Sequence, residues 1–248
     1  MKALLWDYIF PGFLIIVLFI TMYLFRPTEI PPLWFDEGWT LTVARNWVET
    51  GQYARFLEGI PISADGMLKS LSVTSPIALS FSLFGVGVPQ GRLPAMLSMA
   101  LALFCIFQLT RKVYNVKVAY LSLIVLLFMS SPLNPWIIGK QAAVEAPMVF
   151  YLSAGYLFFM DSLNGKKYAI IGAIICWGLA MDSKVHAIPF WSISMLLPMA
   201  IIFVRKQWQV LKFFGFALVG SYAVYFPLFG IQNTLYDQYP LYIGVIRG

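Results

Sequence analysis

Seven apolar segments, each long enough or nearly long enough to cross a lipid bilayer, leave this chain few ways to fold. They run roughly over 8–25, 93–110, 118–134, 144–160, 168–184, 187–204 and 212–231. A hydrocarbon core about 30 Å thick takes on the order of 20 apolar residues of helix. An open sheet cannot cross it, because each backbone polar group there must be paired within its own element. The expected fold is therefore an all-α polytopic membrane protein. It has about seven transmembrane helices, with interfacial (juxtamembrane) helices in a long first external loop. Hydrophobic residues make up 60% of the chain and charged residues 11%, which excludes an ordinary soluble domain and a disordered chain. Pro189, Pro198 and Pro227 fall inside these segments and kink helices locally, as membrane bundles tolerate.

The run from Tyr8 to Phe25 is long for the apolar core of a signal peptide, and Arg26-Pro27 follows it rather than a small-residue cleavage site. It reads as an uncleaved first span. Orientation follows from the basic residues. Arg111, Lys112 and Lys117 share one short loop, Lys166 and Lys167 a second, and Arg205, Lys206 and Lys212 a third. With Lys2 these alternate correctly if they are cytoplasmic, and the N-terminus with them. Asp36, Glu37, Glu145 and Asp182 then face outside, and only Asp7 and Asp161 among these acids lie inside. The net charge of +6 is that loop bias and not a nucleic-acid footprint, since no basic face interleaved with aromatics exists. Cys105 and Cys176 sit in apolar runs at a spacing that fits no metal motif.

One domain over 1–248 is expected: a first span at 8–25, an external loop over 27–92 and the remaining spans over 93–231. Within the loop, Asp36 is placed to cap a helix that runs to Thr50 and stops at Gly51. Trp39, Val43 and Trp47 follow i, i+4, i+8 spacing with Ala44 and Val48 beside them, and Arg45 and Glu49 fall elsewhere on the wheel. The pattern is that of an amphipathic helix at the membrane interface. Ser75 to Phe84 is too short to span and reads as a second interfacial or re-entrant helix.

This topology brings four polar groups to one face: Asp36 with Glu37, Arg92, Lys140 with Glu145, and Asp182-Ser183-Lys184-Val185-His186. A carboxylate can act as general base on an acceptor hydroxyl. Arginine and lysine can neutralise a departing phosphate. Each residue also has a purely structural reading. Asp36 can be a helix cap, Arg92 a snorkelling interface arginine, and Glu145 the partner of Lys140. Asp182 and Lys184 can be loop charges, and His186 a helix-end residue, since one histidine builds no zinc site.

The order of motifs resembles the membrane-embedded GT-C glycosyltransferases, in particular bacterial relatives of protein O-mannosyltransferases and of lipid A aminoarabinose transferases. The matching pieces are Trp34-Phe35-Asp36-Glu37-Gly38, Gly51-Gln52-Tyr53, Thr74-Ser75-Pro76-Ile77-Ala78-Leu79 and Leu83-Phe84-Gly85. They continue with Gly91-Arg92-Leu93-Pro94, Gly139-Lys140, Val144-Glu145-Ala146-Pro147 and Gly178-Leu179-Ala180-Met181-Asp182-Ser183-Lys184. The resemblance implies transfer of a sugar, with inversion, from a polyprenyl-phosphate donor to a lipid, glycan or protein acceptor outside the cytoplasm of a bacterial inner membrane. It implies Asp36 as the catalytic base with Glu37 in support, and Arg92, Lys140, Glu145 and Lys184 as contacts to the donor phosphate or substrate. A divalent cation, magnesium or manganese, suits the oxygen ligands Asp36 and Glu145 and is not required by the sequence.

Two departures from the family pattern stand out. Thr74 and Ser75 occupy the place where some relatives carry a His or Lys before the proline. The chain also ends at Gly248, where family members continue with further spans and often an external domain, so the expected domain is incomplete at its C-terminus. The competing readings are a non-catalytic membrane subunit and a transporter or flippase of lipid-linked sugars. Transporters keep polar groups near the midplane and are often built from repeats, and neither feature is visible here.

Overall fold

The computed structural model describes residues 5–26, 28–29, 31–63, 70–130 and 134–239. The expectations that placed Lys2 among the cytoplasmic bases and Pro27 at the opening of the first loop lie outside them. Among the described residues the chain forms ten α-helices and one hairpin. In order they are α1 (Phe10–Leu24, entered through a wide turn at Leu5–Ile9), α2 (Phe35–Thr50), β1 (Ala54–Leu57), β2 (Ile60–Ser63), α3 (Leu71–Phe84), α4 (Val88–Val113), α5 (Val116–Phe128), α6 (Pro135–Gly139), α7 (Glu145–Leu163), α8 (Ala169–Ser183), α9 (Ala187–Val204) and α10 (Trp208–Tyr236).

Five stretches of helix are long and apolar enough to cross a membrane: Asp7–Leu24, Val88–Val113, Glu145–Leu163, Ala187–Val204 and Trp208–Leu235. The expected spans at 118–134 and 168–184 form the shorter helices α5 and α8, of 13 and 15 residues; residues 131–133 lie outside the described set. Large apolar side chains stand on the outer surface, among them Phe13 and Ile16 of α1, Phe128 of α5, Phe190 of α9 and Val219 of α10. So much exposed apolar surface suits lipid as the surrounding solvent.

The loop before the second span is shorter than 27–92, because α4 starts at Val88. Pro89 lies in its first turn, where a missing N–H costs nothing. Arg92 is therefore inside a helix and not at its edge. The all-α expectation also missed the hairpin. Leu57 pairs with Ile60, so Glu58 and Gly59 make a two-residue turn, both with positive φ (52° and 85°). That is the twist such turns need, and Asn-Gly is its usual signal.

Helices α7 and α8 pack closely because glycine leaves room. A Cβ at Gly155 would lie 2.3 Å from the Trp177 indole nitrogen. Trp177 is fully buried among Phe159, Trp191 and Phe214 and cannot retreat. Gly178 of α8 likewise receives Val224 of α10, and Gly220 of α10 receives Ile174 of α8. Small residues allow such approach between membrane helices. Gly155→Ala is expected to destabilise the protein by about 1–3 kcal/mol, seen as a lower thermal unfolding midpoint in detergent. An unchanged midpoint would mean that this contact yields without cost.

Charges gather at the two ends of this bundle. At one end Asp7 accepts from Arg111 at 2.6 Å, Arg111 also donates to the Tyr8 hydroxyl at 2.8 Å, and Lys112 pairs with Asp161. This ties the start of α1 to the ends of α4 and α7. The residues proposed for chemistry lie at the opposite ends of the same helices.

Candidate active site

Helix α2 begins two residues earlier than the capping expectation. Phe35 is its first helical residue and Trp34 supplies the extended cap position, so Asp36 is not the N-cap. Successive residues on a helix are turned by about 100°, and the acid pair is split accordingly: Asp36 is exposed and Glu37 is fully buried. Glu37 Oε2 accepts from the Trp34 N–H at 3.4 Å. Both carboxylates sit in the first turn, where the helix dipole favours negative charge. The helix ends as expected at Gly51, with φ 74°. The stripe of Val43 and Trp47 faces protein: Val43 is fully buried and packs with Tyr53, while Arg45 and Glu49 pair at 2.8 Å on the exposed side.

Glu37 is locked by its partners. Arg92 Nε donates to Oε1 at 2.6 Å and its Nη2 to Oε2 at 2.8 Å, and the Ala142 N–H donates to Oε1 at 2.9 Å. Neither ionic side chain is reached by solvent. Such a fork-on-fork pair is both strong and directional. Arg92 is thus an interior residue and not a snorkelling one. The pair fastens α2 to α4 and to the segment between α6 and α7.

Lys140 sits in that segment and is also fully buried. Its ammonium donates to the Phe25 carbonyl at 2.5 Å, at the end of α1, and more weakly to the Arg26 carbonyl at 3.4 Å. The Trp136 ring lies 5.5 Å away. Burial pushes the lysine pKa below its usual value, and the Arg92 charge adds to the effect. Glu145, expected as a possible partner of Lys140, pairs instead with Lys184 at 2.5 Å, with both side chains part-exposed. Sequence neighbourhood favoured Lys140; the packing of α7 on α8 brings Lys184.

Asp182 is buried and is no loose loop charge. Its Oδ2 accepts the Ser72 N–H at 2.9 Å, one of the donors a helix start leaves without a partner, so α8 caps α3. The hydroxyls of Ser72 and Ser183 lie 2.9 Å apart beside it. Thr74, where some relatives carry a His or Lys, is buried; it donates to the Ser70 carbonyl and lies 2.8 Å from the Tyr53 hydroxyl. His186 stands exposed just before α9.

One residue that the sequence reading passed over lies near the acid pair. The Arg55 guanidinium sits 3.5 Å over the ring of Trp39, one turn along α2 from Asp36. It reaches that place through the hairpin, which no periodicity had indicated. Arg92, Glu37, Lys140 and Ala142 form one connected group, with Glu145 and Lys184 at its flank and Asp36 exposed beside it. Among the described residues no three of His, Cys, Asp and Glu cluster so as to hold a metal ion.

Residues 73–229 match the family model described as dolichyl-phosphate-mannose-protein mannosyltransferase. No curated protein matches the chain. Two solved structures share its fold, those of ArnT from Cupriavidus metallidurans bound to undecaprenyl phosphate and in the apo state. Each has a TM-score of 0.70 at 15% sequence identity and covers 92% of this chain. The chain spans 42% of the length of that ArnT.

Proposed function

As the chain belongs to the dolichyl-phosphate-mannose-protein mannosyltransferase family of GT-C membrane glycosyltransferases, we propose that it carries the catalytic face of an enzyme transferring a sugar from a polyprenyl-phosphate donor to an acceptor outside the cytoplasm. The observation that carries this reading is the division of the acid pair. Glu37 is saturated by Arg92 and Ala142, whereas its neighbour Asp36 is exposed on the first turn of α2. A fully buried carboxylate and a carboxylate at the surface are adjacent residues. That a protein of the same fold binds undecaprenyl phosphate supports a lipid phosphate as the donor's carrier.

In this mechanism Asp36 takes the proton of an acceptor hydroxyl. The oxygen then attacks the anomeric carbon, and the bond from that carbon to the phosphate oxygen breaks. The electron pair leaves with the polyprenyl phosphate. A single displacement inverts the anomeric configuration. Lys184, part-exposed, is assigned to the phosphate, and Glu145 orients it. Arg92 and Glu37 act as positioning residues, and Lys140 keeps α1 against the site. Asp36 and Glu145 would be candidate oxygen ligands for a magnesium or manganese ion by their chemistry, although no three His, Cys, Asp or Glu side chains gather around one point among the described residues.

The test is transfer by the full-length protein in proteoliposomes, with labelled polyprenyl-phosphate sugars as donors and envelope extract as acceptor. Absence of transfer from every donor would overturn the reading, as would product that retains the donor's anomeric configuration. Lys184→Gln removes a charge-assisted contact and is expected to raise the KM for the donor roughly 10- to 100-fold. Unchanged donor affinity would remove Lys184 from phosphate binding.

A further inference from the structure

At the end of the bundle away from the candidate active site, two open-sided grooves run along the start of α10. The first, of about 620 Å³, is lined by Leu196, Met199 and Phe203 of α9 and by Trp208, Leu211 and Gly215 of α10. The second, of about 420 Å³, is lined by Ile170 and Ile171 of α8 and by Phe213 and Phe216 of α10. The division follows from the helix. Successive residues turn by about 100°, which puts 208, 211 and 215 on one face of α10 and 213 and 216 on the next. Residue 212 falls on the edge between them, and its exposed lysine borders both grooves.

The charges around this edge are unbalanced. Asp7 and Asp161, the acids of this end among the described residues, are taken by Arg111, Lys112 and Lys166. Among the described residues no acid pairs with Lys167, Arg205, Lys206 or Lys212, all of them exposed. Lys167 lines the second groove with Lys212, and Arg205 and Lys206 make the turn from α9 into α10. Lys206 stands in the left-handed region, φ 55°, which glycine or asparagine adopts at less cost. The turn keeps a cation where its backbone would favour another residue. Exposed Trp208 borders the first groove and exposed Tyr168 the second, and rings of both kinds settle at the headgroup level of a bilayer.

Two apolar grooves divided by one cation, with further unpaired cations beside them, match an anion that carries two hydrocarbon chains. We infer that this end of the bundle binds a diacyl anionic phospholipid. Its phosphate lies on Lys212, with Lys167 and the Arg205-Lys206 turn around it, and one acyl chain enters each groove. Basic pockets between membrane helices hold anionic headgroups in this way. The lipid belongs to the leaflet opposite the candidate active site, and a single-chain polyprenyl phosphate would leave one groove bare. The inference needs only the membrane-embedded fold and stands apart from the glycosyltransferase reading.

The experiment is native mass spectrometry of the full-length protein in detergent. The probes are phosphatidylglycerol, phosphatidylcholine with the same acyl chains, and lysophosphatidylglycerol. The wild type is expected to bind phosphatidylglycerol about tenfold more tightly than phosphatidylcholine, and Lys212→Gln is expected to abolish that preference. Gly215→Leu fills the first groove. A Cβ at Gly215 meets nothing within 4 Å, so α10 accepts the side chain without a clash. This variant is expected to weaken phosphatidylglycerol about tenfold and to leave the one-chain lysolipid, which still has the second groove, unchanged. Equal affinity of the wild type for the two headgroups overturns the inference, as does a preference that survives in folded Lys212→Gln. Phosphatidylglycerol held at wild-type strength by folded Gly215→Leu, or displaced by an equal concentration of polyprenyl phosphate, overturns the two-chain assignment. Binding is read without turnover, so an inactive protein that keeps these preferences would sink the enzymatic reading and leave this one standing.

Discussion

Asp36→Asn is expected to lower the rate of sugar transfer by roughly 10²- to 10⁴-fold, the usual contribution of a positioned general base, while leaving the fold intact. The two halves of that expectation come from one geometric fact. Asp36 is exposed at the second position of α2, so the amide replaces a carboxylate at the surface with a group of nearly the same shape. A surface change of this kind shifts stability by no more than about 0.5 kcal/mol. The reaction loses its proton acceptor. Single-turnover transfer with preloaded donor separates the chemical step from donor binding, which should be preserved. Transfer at the wild-type rate by a folded Asp36→Asn protein would show that the base lies elsewhere.

The second large effect falls on stability. Arg92→Met leaves Glu37 buried with a charge and without its fork of donors, and the expected cost is about 3–5 kcal/mol. Arg92→Lys keeps the charge but loses the bidentate geometry, and it should fall between the wild type and Arg92→Met. Removing both partners, Glu37→Gln with Arg92→Met, should recover part of the loss, because the uncompensated charge goes with its partner. Unfolding midpoints of the wild type, Arg92→Met, Glu37→Gln and the double variant in one detergent measure the cycle. If Arg92→Met unfolds within 0.5 kcal/mol of the wild type, the pair does not hold the site together, and Glu37 becomes available for chemistry. Equal losses of transfer for Glu37→Gln and Asp36→Asn would argue the same way.

The long elements could be read from the chain because they depend on its apolar pattern: α1, α4, α7, α9 and α10 all lie on segments marked by hydropathy alone. The site was legible as a set of residues and not as a set of contacts. Asp36 and Glu37 were marked together, yet α2 starts two residues earlier than expected, and the turn between helical neighbours puts one inside and one outside. Nothing in Trp34-Phe35-Asp36-Glu37 states that difference, since it depends on the Arg92 fork arriving from α4. Glu145 has Lys140 five residues away in sequence and Lys184 within reach only after α7 packs on α8. The hairpin escaped because its strands are four residues long and its turn is Glu58-Gly59. Arg55 went with it, since its place over Trp39 exists only once that turn has formed.

The attachments of α1 bear on how this protein meets membranes of different thickness. Few of its residues are buried, yet both of its ends are fastened: Asp7 to Arg111 at one end, and the Phe25 carbonyl to Lys140 at the other. A lone helix longer or shorter than the surrounding hydrocarbon adjusts by leaning over. Helix α1 is pinned at top and bottom to α4 and to the segment carrying Lys140, so it leans only if the whole bundle does. Hydrophobic mismatch around α1 is then absorbed by the lipid, which thickens or thins locally. The bilayer bends to the helix, and the backbone at Phe25 stays in register with Lys140.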